Sequence, residues 1–234
     1  MQIAGYLKTS LIEWSGKITS VVFTSGCNFR CPFCHNADLV EDKIRESMRI
    51  NEKEMLADLK SRKRWVDAVV ITGGEPTLQN DLEIFLEKVK KLGFKTMVHT
   101  NGSRPEVIEK LIENKLVDYW AMDLKGDMQN YNKYTNVQCP ISNIKKSMEL
   151  IIDSGAEFEF RTTVVPGLHD LKNLKKLARQ IILKPKTLWF LQQFQPMNTF
   201  DKKYLKIKPF LRGEMENFQK ELQKIIPQIL LRGV

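Results

Sequence analysis

The chain has 234 residues, 42% of them apolar and 28% charged, with a formal net charge of +9; this excludes a disordered chain and leaves room for one large domain with a substantial core. No stretch approaches the roughly 18 uninterrupted apolar residues of a membrane span, and the opening MQIAGYLKTSLIEW lacks the basic-then-apolar pattern of a secretory signal. The expected location is therefore the cytoplasm, where thiols stay reduced, and the dispersed basic residues, densest in LKSRKRW (59–65), read as a solvated surface rather than a nucleic-acid interface.

Taken in chain order, apolar runs alternate with helical periodicity. After an N-terminal extension, ITSVVF (18–23) predicts a buried strand, and residues 51–65 predict a helix with Asn51 as its cap. DAVVIT (67–72) predicts a strand, and residues 80–93 an amphipathic helix ending at glycine. FKTMVHT (94–100) is followed by a helix over 104–115 with Pro105 in its first turn. VDYWAMDL (117–124) precedes a helix over 142–155, EFEFRTTVV (157–165) precedes one over 171–182, and TLWFLQQF (187–194) is the sixth strand. A last helix, about 213–226, precedes Pro227 and a short apolar tail.

Six strands, each leading to a helix, imply right-handed βαβ units and a parallel sheet. A complete eight-unit barrel needs about 250 residues. The expected fold is thus α/β, a partial (β/α)6 TIM-like barrel, with a flat doubly wound sheet as the structural alternative. The chain reads as a single domain, 1–234, with a core of about 16–195 and a helix-bearing C-terminal extension over 196–234.

In parallel α/β folds chemistry gathers at the carboxyl ends of the strands. Here the first strand leads into TSGCNFRCPFCHN, the second into GGEP, the third into TNG and the fourth into DLK; Arg161 lies in the fifth and Gln192–Gln193 near the end of the sixth. A tetrahedral zinc site takes four protein ligands, whereas Cys27, Cys31 and Cys34 supply three. His35 adjoins Cys34 too closely to share its metal, and Cys139 is remote and reads as a structural or incidental thiol. Three thiolates on a short loop can grip three corners of a [4Fe–4S] cluster and leave the fourth iron open to another ligand.

CNFRCPFC resembles the C-x3-C-x-aromatic-C signature of the radical S-adenosylmethionine enzymes, and GGEP after the next strand strengthens the likeness. The resemblance implies two cofactors, a [4Fe–4S] cluster and S-adenosylmethionine. The open iron would chelate the methionine amino and carboxylate groups. Reductive cleavage would then give a 5′-deoxyadenosyl radical that abstracts hydrogen. Cys27, Cys31 and Cys34 are the expected metal ligands. Glu75 suits the cofactor ammonium, Gly73 and Gly74 permit close backbone approach, and Pro76 stiffens the turn. Arg161 suits the carboxylate. Asp123 and Lys125, two apart, share a face, and the resemblance puts them in the cofactor pocket. Phe33 holds the position that contacts adenine in the family, with Thr100, Asn101 and Gln193 as further candidates. His99 and His169 have no partner legible in the sequence, and His35 is expected to pack near the cluster.

Together CNFRCPFCHN, TGGEPTLQ, HTNG, MDLKG and RTTVVPGLHD resemble the glycyl-radical-enzyme activases, above all the activating proteins of anaerobic ribonucleoside-triphosphate reductase, which are related to pyruvate formate-lyase activating enzymes. The implied partners are a large glycyl radical enzyme and an electron donor such as flavodoxin or ferredoxin. The sequence departs from the formate-lyase activases where SLIEWSGKITSVVF replaces their Asp-Gly-Pro-Gly approach and where QQFQPMN replaces a ribose-contacting histidine. GDMQNYNKYTNVQCP (126–140) reads as a loop bordering the partner's glycine, or as a plain surface connection. The competing readings are a small-molecule radical enzyme such as a 7-carboxy-7-deazaguanine synthase, and a non-catalytic Fe–S or zinc module.

Overall fold

A computed structural model describes residues 1–41, 49–182 and 184–234. Within them one eight-stranded sheet runs in sequence order, β1 Ile3–Ser10, β2 Thr19–Thr24, β3 Ala68–Gly73, β4 Lys95–Thr100, β5 Tyr119–Asp123, β6 Glu157–Val164, β7 Trp189–Gln193 and β8 Ile229–Arg232. β2 to β8 are parallel, in register from Thr19↔Ala68 at one end of the sheet to Trp189↔Ile229 at the other. β1 pairs antiparallel with β2, from Ile3↔Thr24 to Ser10↔Thr19, with two irregularities in register. This is the partial TIM-like barrel that the sequence predicts, with a correction to its strand count. Two strands flank the expected six. β1 comes from the N-terminal extension, and β8 from the apolar tail, where Gln228 O accepts from Trp189 N at 3.0 Å.

The helices are α1 Ala37–Val40, α2 Glu52–Ser61, α3 Leu82–Lys91, α4 Pro105–Glu113, α5 Tyr131–Thr135, α6 Ile141–Asp153, α7 Leu171–Gln180 and α8 Arg212–Gln223. Their starts follow local chemistry. The Asn51 side chain accepts from Lys53 N and Glu54 N, Pro105 opens α4, and Asp170 and Asn173 form a reciprocal box at α7. α2 ends at Ser61 rather than Trp65; Arg62 through Trp65 turn back towards β3.

Alternation along the strands divides the interior in two. Outward residues such as Val22, Ile71, Val98, Trp120, Met122, Phe160 and Leu191 join the helices in the main core. Inward residues Val21, Ala68, Val70, Met97 and Ala121 form a second, smaller cluster with Trp14 from the β1–β2 loop. The Trp14 ring packs 5.0 Å from Tyr119 and closes the amino-terminal end of the barrel. On the β6–β8 side the inward face is charged: the Glu159 carboxylate accepts from Arg161 Nε, from Arg232 Nη1 at 3.0 Å and from the Tyr119 hydroxyl at 2.8 Å.

Residues 126–140 are not an open loop. They form a 3₁₀ turn over Met128–Asn130 followed by α5. Met128, Tyr131 and Tyr134 are buried, and Tyr134 stacks on His169 at 4.9 Å. Each buried ring contributes about 2 kcal/mol, so the aromatic residues face the core and the polar ones, among them Asn130, Asn132 and Lys133, face solvent.

A candidate cluster and cofactor site

The cysteine loop leaves β2 at Thr24 and is tied down from several directions. Gly26 N donates to Leu39 O at 2.7 Å, Cys27 N to Val40 O at 3.2 Å, and Arg30 N to Thr135 O at 2.9 Å. From the other end of the chain, Phe200 N donates to Cys34 O at 3.1 Å and Asp201 N to Pro32 O at 2.9 Å. The result is a loop whose three thiols line one cavity of about 380 Å3. All three are free. Burial pushes the Cys27 thiol up to about 11 and Cys31 to about 12, and raises Cys34. Metal binding at this loop therefore displaces protons.

The GGEP turn lies directly against that loop. Gly73 has φ +119°, and a Cβ there would stand 2.3 Å from Thr24 O; one on Gly74 would stand 2.0 Å from Gly26 O. Gly74 N donates to Thr24 O and Glu75 N to Gly26 O. The glycines thus permit the strand end and the cluster loop to touch, a closer constraint than the approach of a ligand. Pro76 begins a 3₁₀ turn, Pro76–Leu78, capped by Glu75; it is buried and stands outside the cavity lining.

Glu75 is 1% exposed. Its Oε1 accepts from Thr77 N, from Thr77 Oγ1 at 2.6 Å and from Thr100 Oγ1 at 2.8 Å, and its Oε2 accepts from Asn101 N at 2.7 Å. Burial raises its acid range, and these hydrogen bonds oppose that shift. Three of these donors crowd Oε1 and one meets Oε2, so the acceptor capacity left for a ligand ammonium at Glu75 is on Oε2. Asn101 extends the network: its Nδ2 donates to Asn28 Oδ1 at 2.9 Å, and Asn28 Nδ2 donates to Ser103 Oγ at 2.8 Å. Asn28, inside the cysteine motif, was not a sequence candidate. Its contact with the TNG turn joins residues 73 apart, which no local pattern reports.

Asp123 and Lys125 form an ion pair at 2.7 Å on the cavity wall. Burial alone would lower the Lys125 ammonium, but Asp123 and the nearby Cys31 outweigh it and keep the group protonated. The Lys125 backbone is fixed as well: its N donates to Tyr131 Oη at 3.1 Å, and His169 Nε2 donates to its carbonyl at 2.9 Å. Phe33 is 4% exposed, lines the cavity, and meets the His169 ring edge-on at 6.4 Å.

Arg161 is 5% exposed. Its Nε donates to Glu159, its Nη1 lies 3.2 Å from His99 Nε2, and its buried Nη2 has no partner among the described residues. His99 is held neutral by burial and by the Arg161 and Arg232 charges. It lines the cavity beside Arg161. The available signal was its parity with Met97 on β4, which directs both inward. Gln193 lies elsewhere: its Nε2 donates to Phe210 O, and Gln192 lines the cavity in its place. A one-residue change of parity on a strand moves a side chain to the opposite face.

Nearly all the sequence candidates thus share one cavity; Pro76 and Gln193 stand apart from it. His35 stacks on Phe194 at 5.8 Å beside the loop, and Cys139 lies apart, near α5. The donor set fits a cluster with one open corner. Among the described residues no three His, Cys, Asp or Glu side chains are grouped to hold a single metal ion, while three thiols border a shared cavity. That cavity also offers a carboxylate, an ammonium and an unpartnered guanidinium, which suits a zwitterionic sulfonium ligand.

Comparison with known proteins agrees. The radical SAM superfamily pattern matches residues 21–181. A Methanocaldococcus jannaschii protein, provisionally named a glycyl-radical enzyme activating enzyme, is 32% identical over 99% of this chain and 96% of its own length. The pyruvate formate-lyase-activating enzyme of Clostridium pasteurianum is 30% identical over 73% of this chain and 72% of its own. Among solved structures, Streptococcus suis SuiB bound to S-adenosylmethionine superposes with a TM-score of 0.71 at 18% identity, over 91% of this chain; the chain spans half the length of SuiB. With a matching pattern over most of its length, a partial barrel and three thiols around one cavity, the chain belongs to the radical SAM superfamily, whose enzymes use a [4Fe–4S] cluster and S-adenosylmethionine.

Proposed function

We propose that this radical SAM enzyme is a glycyl-radical-enzyme activase. It takes a hydrogen atom from the Cα of one glycine in a large partner enzyme, and anaerobic ribonucleotide reductase is the partner we favour. The observation that carries the reading is the near end-to-end similarity to the M. jannaschii relative that bears the activase name.

The side chains divide the work as follows. Cys27, Cys31 and Cys34 would hold the cluster, which together with S-adenosylmethionine would supply the one-electron chemistry for hydrogen abstraction. Arg161, through its free Nη2, and Lys125 are the cationic groups that orient the cofactor carboxylate. Asp123 keeps Lys125 charged and in place. Glu75 holds the TNG turn at the cavity wall, and Phe33 and the buried core of residues 126–135 exclude water from the site.

Because Tyr131 bonds the Lys125 backbone and Thr135 bonds Arg30, replacing all of 126–140 would disturb the cofactor site itself. The partner-facing role proposed for this segment belongs to its outer residues Asn130, Asn132 and Lys133.

The test is anaerobic. Reconstituted protein, S-adenosylmethionine and a reductant are mixed with an anaerobic ribonucleotide reductase, and the sample is read by low-temperature electron paramagnetic resonance and by 5′-deoxyadenosine analysis. A glycyl doublet with matching 5′-deoxyadenosine supports the reading. Cofactor cleavage without a protein radical on any glycyl radical enzyme, but with turnover of a small molecule, overturns it in favour of a small-molecule radical enzyme.

A further inference from the structure

We propose that the lysine-rich segment Asp201–Lys208 is the docking surface for an acidic one-electron donor protein. Cleavage of a sulfonium by this chemistry consumes one electron per event. Outside the site these 234 residues carry a single cysteine, too few for a second thiolate-held cluster, so in this proposal a separate protein supplies the electron. In the transfer the donor is oxidised by one electron and the cluster is reduced by one; no bond is made or broken.

The structure shows one surface that backs directly onto the cysteine loop. One side of the cysteine loop faces the cavity that the cofactor fills. Its other side is covered by the segment after β7. Phe200 N and Asp201 N donate to the carbonyls of Cys34 and Pro32, so a single hydrogen bond links the backbone of a cluster ligand to this segment. Packing follows the same line: His35, next to Cys34, stacks on Phe194, and Phe194 meets the Tyr204 ring edge-on at 6.4 Å. The Lys203 ammonium stands 5.5 Å over that Tyr204 ring at the surface.

The segment's charge and rigidity suit a partner. Lys202, Lys203, Lys206 and Lys208 are all exposed. Asp201 caps a 3₁₀ turn over Lys202–Lys206 and pairs with Lys203 at 2.9 Å. Lys202, Lys206 and Lys208 make no ion pair among the described residues. The neighbouring acid, Asp38, accepts from Asn198 at 3.1 Å. Tyr204 is buried and anchors the turn, while Leu205, 41% exposed, puts an apolar contact amid the lysines. A basic rim around an apolar point complements an acidic redox protein and steers its approach.

The inference rests on the cluster assignment and not on the activase reading, and its test contains no glycyl-bearing partner. The probe is an acidic flavodoxin, titrated anaerobically against the reconstituted holoenzyme and, as its hydroquinone, mixed in stopped flow while cluster absorbance is followed. The Lys202→Glu/Lys206→Glu/Lys208→Glu variant is expected to weaken flavodoxin binding about tenfold or more and to slow cluster reduction in parallel, with wild-type binding falling as salt rises. Reduction by dithionite and the cluster spectrum stay unchanged, and the matching Lys→Gln triple variant gives a smaller loss of the same sign. A Lys60→Glu/Arg64→Glu control, on the other basic stretch, leaves binding intact. Wild-type binding by the triple Glu variant, or an equal loss in the control, overturns the proposal. Reconstituted protein that retains no iron and sulfide would refute the cluster assignment itself.

Discussion

At the scale of single residues, Glu75 does more structural work than its motif suggests. Its carboxylate joins the ends of β3 and β4, and through Asn101 and Asn28 it reaches the cysteine loop. Glu75→Gln replaces one acceptor with a donor that faces Asn101 N or the Thr77 and Thr100 hydroxyls. The expected result is a loss of about 1–3 kcal/mol in chemical denaturation, together with looser cluster retention at equal protein concentration. His169 gives a pH prediction. Burial lowers its imidazole from 6.5 to about 4, and its two nitrogens are committed to Val165 N and Lys125 O. Between those values the unfolded chain binds a proton that the native state refuses. Stability from this residue is therefore present above about pH 6.5, is lost as the pH falls, and stops falling below about pH 4. Thermal unfolding across that window is expected to be shallower in His169→Gln than in the wild type. Equal slopes would remove His169 as the cause.

At the scale of elements, the βα alternation is legible because short apolar runs such as AVVI in β3 mark strands and longer helices such as α3 and α4 carry a 3.6 period. β1 is not legible: IAGYLKTS mixes polar and apolar residues because it is an edge strand, half solvated and twisted by two irregularities. β8 has four residues, too few for any period. The site divides the same way. Cysteine spacing and strand-end position identify most of the cavity, since both are local. Which face of a strand's last residues turns inward is not, and so Gln193 points away while Gln192 points in. Mutation of the two glutamines tests this face assignment: Gln192→Ala is expected to raise the KM for S-adenosylmethionine or the partner, whereas Gln193→Ala acts on stability through Phe210 and leaves KM near the wild-type value. The GGEP glycines make a sharper case. Gly74→Ala places a methyl against the Gly26 backbone, and an overpacking loss of about 1–3 kcal/mol is expected, with iron content falling alongside it on reconstitution.

For the whole molecule, one sheet separates two interiors, an apolar layer beneath the helices and a lumen that is apolar on one side and charged on the other. This arrangement keeps the reactive space narrow and polar while the stabilising core lies behind it. Iron and sulfide analysis reads out the division of roles among the cysteines. Cys27→Ala, Cys31→Ala and Cys34→Ala are each expected to lose the cluster, whereas Cys139→Ala retains it. Retention in any of the first three, or loss in the fourth, would reassign the ligands.

The backbone bonds from Phe200 and Asp201 to Cys34 and Pro32 also set an order of events during synthesis. The thiols leave the ribosome early, yet the segment that clamps their loop is translated more than 160 residues later. Until then the loop lacks its outer wall. The finished geometry of the loop is accordingly completed late, and a nascent chain halted before residue 200 would present the three cysteines tied through Leu39, Val40 and Thr135 but without that outer wall.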